Sequence, residues 1–256
     1  MGEIRRTCWR IISRIARFIP PDYRATLFYY MITSAADPSA PKDALQFLLE
    51  LDNNLYNIEG RIAVAYGCGI HPKHRLTRYH DFFVNHIKKG ERVLDIGCGN
   101  GALSFDIVRR IEAVSVLGVD LNEENIYYAN KHFIHPNLSF IKGDALINLP
   151  NIHFDVVILS NVLEHIKNRI KFLVMVQEKV NPSRFLIRVP FFERDWRVPL
   201  KKELGIEYRL DLTHEMEYSI KEFYEELQKA NLTIIHIVFC WGEIWCVAAP
   251  ILGGIS

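Results

Sequence analysis

From residue 91 onward the chain alternates short, strongly apolar runs with helix-periodic stretches, and this alternation restricts the fold more than any other feature. The runs are ERVLDIG, VSVLGVD, LSFIKGD, HFDVVILS, RFLIRVP, LTIIHIVF and EIWCVAA, with helical stretches expected over about 102–111, 123–132, 164–180 and 219–230. Apolar residues at consecutive positions suit strands buried on both faces, because successive side chains point to opposite sides of a sheet. The expected class is therefore α/β, a doubly wound, seven-stranded and mostly parallel sheet with helices on both faces. The sheet domain is expected to occupy 89–250, with an insertion at 191–217, behind a helical extension and covering segment over 1–88.

Within that extension, residues 25–32 and 42–55 are helix-compatible, and Asp37-Pro38-Ser39-Ala40-Pro41 breaks the pattern between them. Before them, Ile4, Cys8, Ile11, Ile12, Ile15, Phe18 and Ile19 fall on one helical face, and Pro20-Pro21 ends it. Residues 1–24 carry six arginines against Glu3 and Asp22, or +4, so the remaining residues sum to −3 of the net +1. Two readings of residues 4–19 stay open: a helix packed on the main domain, or a basic helix resting on an anionic membrane with Trp9 at headgroup level. Gly2 is not a myristoylation signal, since Arg6 stands where Ser or Thr is required.

The near-neutral total gives no basic stripe for a polyanion, which disfavours nucleic acid as a partner. Five widely spaced cysteines without a CxxC pair read as reduced thiols, pointing to the cytoplasm, with membrane association only through residues 4–19. Cys68, His71 and His74 lack a fourth partner at zinc-site spacing, so no metal is expected.

The chemistry-bearing segment is Val93-Leu94-Asp95-Ile96-Gly97-Cys98-Gly99-Asn100-Gly101, a strand entering a glycine-rich turn that opens a helix. In an open parallel sheet, ligands bind beyond the carboxyl ends of the strands, where this turn lies. The next strand ends at Asp120, nineteen residues after Gly101, the place of an acidic side chain that accepts from two ribose hydroxyls. Gly97, Gly99 and Ala102 could be fitted to a dinucleotide GxGxxG/A turn. Two details point elsewhere: Asp95 would repel a pyrophosphate but favour a ligand with an ammonium or sulfonium cation, and the third glycine comes one residue early.

VLDIGCGNG, followed in order by Asp120, Gly143-Asp144-Ala145, Phe154-Asp155 and Ser160-Asn161-Val162-Leu163-Glu164-His165, resembles the class I S-adenosylmethionine-dependent methyltransferases over roughly residues 70–248. The resemblance implies a Rossmann-like methyltransferase fold whose last strand is antiparallel, and S-adenosyl-L-methionine as cofactor. It implies that Asp95, Gly97, Cys98 and Gly99 line the cofactor's methionine end, and that Gly101 lets the helix start close by. Asp120 would hold the ribose hydroxyls, Leu121 would lie against the adenine, Asp144 and Ala145 would meet the adenine edge, and Asn161 would sit beneath the transferable methyl.

Methyl transfer from a sulfonium needs alignment more than activation, and a base only where the acceptor is protonated. His165 follows the fourth strand, and His214 closes Asp211-Leu212-Thr213-His214, similar to a DxxH segment before the same helix in several small-molecule methyltransferases. Each is a candidate base for a hydroxyl acceptor, and each has an alternative role as a loop brace. Asp155, at the start of its strand, reads as structural. The insertion 191–217, with Phe191, Phe192, Trp196 and Tyr208 among polar residues, reads as an acceptor wall or lid. His71, Lys73, His74, Arg75 and Arg78 form a basic loop that could meet the cofactor's methionine carboxylate or an anionic acceptor, or stay solvated. The expected activity is O-methylation of a small molecule. The alternatives are an NAD-dependent oxidoreductase and a methyltransferase-like binding module without turnover.

Overall fold

The computed structural model describes residue 14 and residues 16–68, 71–147 and 149–251. Residues 4–13 and 15 of the basic N-terminal segment lie outside them. The chain divides into two compact units, one of residues 63–200 with 208–256, the other of 1–62 with 201–207. Residues 201–207 of the 191–217 insertion group with the N-terminal residues in this division.

In the smaller unit, α1 (Pro21–Ala35) and α2 (Pro41–Tyr66) are separated by a turn in which the Ser39 amide donates to Asp37 Oδ1 at 2.8 Å. Helix α2 continues well past the expected stop at Leu55 and reaches the larger unit. Asn53, Asn54, Asn57 and Gly60 weaken helix propensity in that stretch without ending the helix. Segment 201–207 is tied to this unit by Lys201 Nζ, 2.7 Å from both Asp52 Oδ2 and Asn53 Oδ1, and by Gln46 Nε2 donating to Leu204 O at 3.1 Å.

The larger unit opens with α3 (Lys73–Thr77) and α4 (Tyr79–Asn85), so a short helix stands inside the expected basic loop. It then runs through β1 (Arg92–Ile96), α5 (Ala102–Arg110), β2 (Ser115–Asp120), α6 (Glu123–His132), β3 (Leu138–Lys142), β4 (Val156–Ser160), α7 (Arg169–Val180) and β5 (Arg184–Pro190). Helix α8 (Arg197–Glu203) spans the two units; α9 (Ile220–Lys229), β6 (Leu232–Cys240) and β7 (Glu243–Pro250) complete the chain. The strands form one seven-stranded sheet in the order β3-β2-β1-β4-β5-β7-β6. Strands β1 to β5 are parallel, and β7 runs antiparallel to both neighbours. This is the doubly wound, Rossmann-like sheet that the apolar runs require.

The side chains of the central strands alternate between two cores, as burial on both faces demands. Leu94, Val157, Leu159, Phe185 and Ile187 pack with Phe172 and Leu173 of α7 and Phe223 and Leu227 of α9. Val93, Val156, Ile158 and Leu186 pack with Phe82 and Phe83 of α4 and Ile107 of α5. Local signals fix the helix starts: Asn122 accepts from the amides of Glu124 and Asn125, and Ser219 forms a reciprocal capping box with Glu222. Trp241 and Gly242, both at positive φ, close the β6–β7 hairpin in two residues. Cys240 and Cys246 of this hairpin are free thiols, and burial pushes Cys246 up to about 12.

The helix expected over 164–180 is split. Leu163–His165 form one 3-10 turn, Ile166 is extended at φ −94° and ψ 124°, and α7 starts only at Arg169. Ile166 packs against the core there, so tertiary burial interrupts the periodic pattern and leaves Glu164 and His165 on a loop at the end of β4.

Candidate active site

Strand order reverses at β1, which lies between β2 and β4, and the crevice beyond the carboxyl ends of these strands is where ligands bind in such sheets. Every sequence-expected cofactor residue falls on β1 to β4 or just past their carboxyl ends.

The turn after β1 is held from behind. The amides of Gly97 and Cys98 donate to Val119 O at 2.7 and 3.1 Å, and the Gly101 amide donates to Cys98 O at 3.0 Å. The Cys98 side chain packs with Ile126, Ala129 and Phe140, so only its backbone is offered to the crevice. Gly101 caps α5 at φ +83°, and a Cβ there would stand 2.5 Å from Phe140 Cζ and 2.9 Å from Ala129 Cβ. Gly99 differs, since a Cβ there would meet nothing within 4 Å. Its backbone faces open space, as a ligand-cradling position requires.

Asp120, at the end of β2, accepts from the Gly99 amide through Oδ2 at 2.9 Å and from the Asn122 amide through Oδ1 at 2.8 Å. The carboxylate therefore braces the glycine turn while keeping lone pairs for ribose hydroxyls. Next to it Leu121 is 67% exposed, an uncovered apolar surface suited to a planar base. Asp144 accepts from the Leu146 amide at 2.8 Å, forming the turn that presents Ala145 past β3.

Asp95 is 1% exposed and accepts from Ser104 Oγ at 2.5 Å. Burial pushes its carboxyl up to about 7, and the Asp120 charge adds to this, against the lowering effect of Ser104. A buried acid beside an open glycine turn gains a counterion when an ammonium or sulfonium enters. The residues present thus fit a nucleoside with a cationic amino-acid tail.

A second group of side chains gathers after β4. Asn161 holds φ +58°, with its amide donating to Arg188 O at 2.8 Å. Among the described residues, Asn161 Oδ1 and both carboxylate oxygens of Glu164 are buried without a hydrogen-bond partner. Glu164 is 0% exposed, and burial raises its carboxyl to about 7. The rings of His165 and His214 meet edge to face with centroids 4.7 Å apart, so the structure brings both candidate bases together.

Each histidine is anchored at Nδ1. His165 Nδ1 lies 3.0 Å from Thr213 Oγ1, which donates to Asp211 Oδ1 at 2.7 Å. His214 Nδ1 lies 3.3 Å from Glu217 Oε1. Although burial works to raise Glu217, hydrogen bonds from His214, Arg194 and the Leu210 amide hold it below the usual glutamate range. The ionised carboxylate only accepts, so His214 Nδ1 carries the hydrogen and Nε2 is the ring's acceptor. Burial first, and then the neighbouring His214, lower the pKa of His165.

Glu164 and Glu217 were not singled out by the sequence reading. For Glu164 the signal was its place beside His165 at the end of an apolar strand; for Glu217 it was the three-residue spacing from His214. Other expected residues have partners of their own. Asp155 accepts from the Arg92 amide at 2.8 Å at the opposite end of the strands, a structural role. In the basic segment, burial pushes His74 down to about 4, with Lys73 the next cause, and its Nδ1 lies 3.1 Å from Tyr79 Oη. Arg78 pairs with Asp81 at 2.8 Å.

A family model described as a methyltransferase domain matches residues 70–237. The ribosomal protein L11 methyltransferase of Thermotoga neapolitana is 32% identical over 152 residues, covering 55% of this chain and 56% of that protein. The mitochondrial ubiquinone biosynthesis O-methyltransferase of Schizosaccharomyces pombe is 36% identical over 103 residues, covering 38% and 37% respectively. The chain thus spans about half the length, or less, of these curated relatives. Magnesium protoporphyrin IX methyltransferase from Synechocystis, solved with bound S-adenosylhomocysteine, shares the fold with a TM-score of 0.54 at 16% identity, covering 68% of this chain and 82% of that one. With the glycine turn, the acidic ends of β1 to β3 and the reversed strand order, the match over most of the chain assigns it: the protein belongs to the class I S-adenosylmethionine-dependent methyltransferases.

Proposed function

We propose that this protein transfers a methyl group from S-adenosyl-L-methionine to a hydroxyl of a small-molecule acceptor. The observation that carries the reading is the cluster of Glu164, His165 and His214, of which Glu164 and His165 follow β4 at the carboxyl ends of the parallel strands, where the glycine turn also lies. A hydroxyl must lose its proton as it is methylated, and this cluster offers two imidazoles and a carboxyl with no partner of its own. The bound cofactor would supply a methyl already activated on sulfonium sulfur. The chain's part is then to bind, align and exclude water: Asp120 takes the ribose hydroxyls, Leu121 the base, Asp95 the ammonium, and Asp144 with Ala145 the adenine edge. Gly97, Cys98 and Gly99 contribute backbone, and Asn161, directly after β4, takes the place beneath the transferable methyl. Alignment of this kind lowers a barrier by roughly 7–11 kcal/mol.

The O-methyltransferase relative supports an oxygen acceptor, and the ribosomal-protein methyltransferase relative supplies the competing acceptor class. A cell extract incubated with the protein and methyl-labelled S-adenosylmethionine separates the two. Label is expected in the small-molecule fraction as a base-stable ether; label confined to protein would remove the small-molecule reading. Among the described residues no helix is long and apolar enough to cross a membrane. Peripheral contact through residues 4–19 stays a proposal resting on their arginine-rich, one-sided pattern.

A further inference from the structure

A helix of a globular protein turns one apolar stripe inward and its polar side to solvent, and a helix apolar on most sides is buried in protein or in lipid. Helix α1 buries none of its fifteen residues, yet the chain carries no charge from Ala25 through Ala36. Tyr23, Leu27, Tyr30 and Met31, spaced i, i+4, i+7 and i+8, share one face and are 70, 44, 66 and 57% exposed. Phe28 and Tyr29 are exposed as well. A contiguous apolar surface of this kind marks a binding face. Charge selects what covers it. Residues 1–36 sum to +4, whereas residues 37–66 sum to −3, with Asp37, Asp43, Glu50, Asp52 and Glu59 against Lys42 and Arg61. The end of the arginine-rich stretch is tied to α1, where the Arg24 guanidinium donates to Arg17 O and Ile19 O, and the side chains of Arg14 and Arg17 are exposed. An anionic surface attracts this stretch and repels the acidic one. A second copy on the same face would instead bring two +4 stretches together.

We propose that α1 docks in the surface layer of an anionic membrane, with Tyr23, Leu27, Tyr30 and Met31 against the lipid. Fifteen residues give a helix about 22 Å long, short of the roughly 30 Å hydrocarbon core, so α1 lies along the interface and does not cross it. Leu27 and Met31 reach the acyl boundary. The tyrosine rings combine an apolar body with a polar hydroxyl, the combination favoured at headgroup level. Arg14 and Arg17, just ahead of α1, meet the lipid phosphates. The inference deepens the peripheral-contact reading of residues 4–19 and rests on the same arginines, but assigns the apolar contact to α1.

Full-length protein is co-sedimented with equimolar phosphatidylglycerol–phosphatidylcholine vesicles and with phosphatidylcholine vesicles, at low and high salt. Circular dichroism of each variant reports folding. The wild type is expected on the mixed vesicles at low salt, and at least tenfold less on phosphatidylcholine or at high salt. The triple variant Leu27→Gln, Tyr30→Gln, Met31→Gln changes exposed positions to a residue that suits a helix, so it should fold as the wild type does and bind mixed vesicles at least tenfold more weakly. Equal vesicle binding by wild type and triple variant overturns the proposal. So does a wild type that stays in the supernatant, including one that forms a dimer which the triple variant breaks. Loss of binding in the double variant Ile11→Gln, Ile15→Gln but not in the triple variant would assign the contact to residues 4–19 and overturn the role of α1. Loss in the triple variant alone keeps that role and removes the apolar contact from residues 4–19.

Discussion

His214→Ala is expected to slow methyl transfer by roughly 10²- to 10⁴-fold, the range lost when a group that handles the proton of the reacting oxygen is removed. S-adenosylhomocysteine affinity should stay within about twofold, because no cofactor-binding position depends on this side chain. The fold should survive the change. Glu217, which loses the His214 contact, keeps the Arg194 guanidinium and the Leu210 amide, so no buried charge is left alone. Arg194 in turn donates to Phe191 O at 3.0 Å and Tyr208 O at 2.9 Å, holding this arm of the insertion in place. Single-turnover rates with labelled cofactor, set beside the binding constant, check this split. A variant that binds S-adenosylhomocysteine and transfers methyl at the wild-type rate would reduce His214 to a loop brace.

Gly101→Ala is expected to destabilise the protein by about 2–5 kcal/mol, a large fraction of the roughly 5–15 kcal/mol that holds a domain together. Two terms add. The residue sits at φ +83°, where a side chain costs roughly 1–2 kcal/mol, and its Cβ would press on the Phe140 ring and Ala129, an overpacking cost of roughly 1–3 kcal/mol. Gly99→Ala provides the comparison. It shares a positive φ of +54° but opens on space, so it should lose only the strain term, about 1–2 kcal/mol. Urea unfolding midpoints measure the difference, and equal midpoints for the two variants would show that Phe140 yields to the added methyl.

The sheet was legible from sequence because its central strands are buried on both faces, and no surface pattern imitates a run such as Val156-Val157-Ile158-Leu159. The helices with strong end signals were legible too: Glu123–His132 follows Asn122, and Ile220–Lys229 follows Ser219 and its capping box. What failed was set by tertiary contacts. Ile166 leaves a helix-compatible pattern because its side chain is drawn into the core, and α2 runs through residues that weaken a helix locally. The glycine turn and its acids announced themselves by residue type, since backbone approach and ribose recognition each tolerate few side chains. The acceptor cluster did not. His165 and His214 stand 49 positions apart in sequence, and that their rings meet, with an unpaired Glu164 beside them, follows from the return of the insertion toward β4.

Calorimetric titration of the wild-type protein with S-adenosylhomocysteine, in parallel with NAD, tests the central claim most directly. Asp95 adds a pH dependence whose sign is set by its raised pKa. The ligand's ammonium binds the ionised carboxyl, so affinity should be full above about pH 7 and fall as pH drops below it, approaching tenfold per unit. The account predicts one equivalent of S-adenosylhomocysteine bound at pH 8, weaker binding at pH 6, a flat profile in Asp95→Asn, and no heat with NAD. Saturable binding of NAD with none of S-adenosylhomocysteine would contradict it.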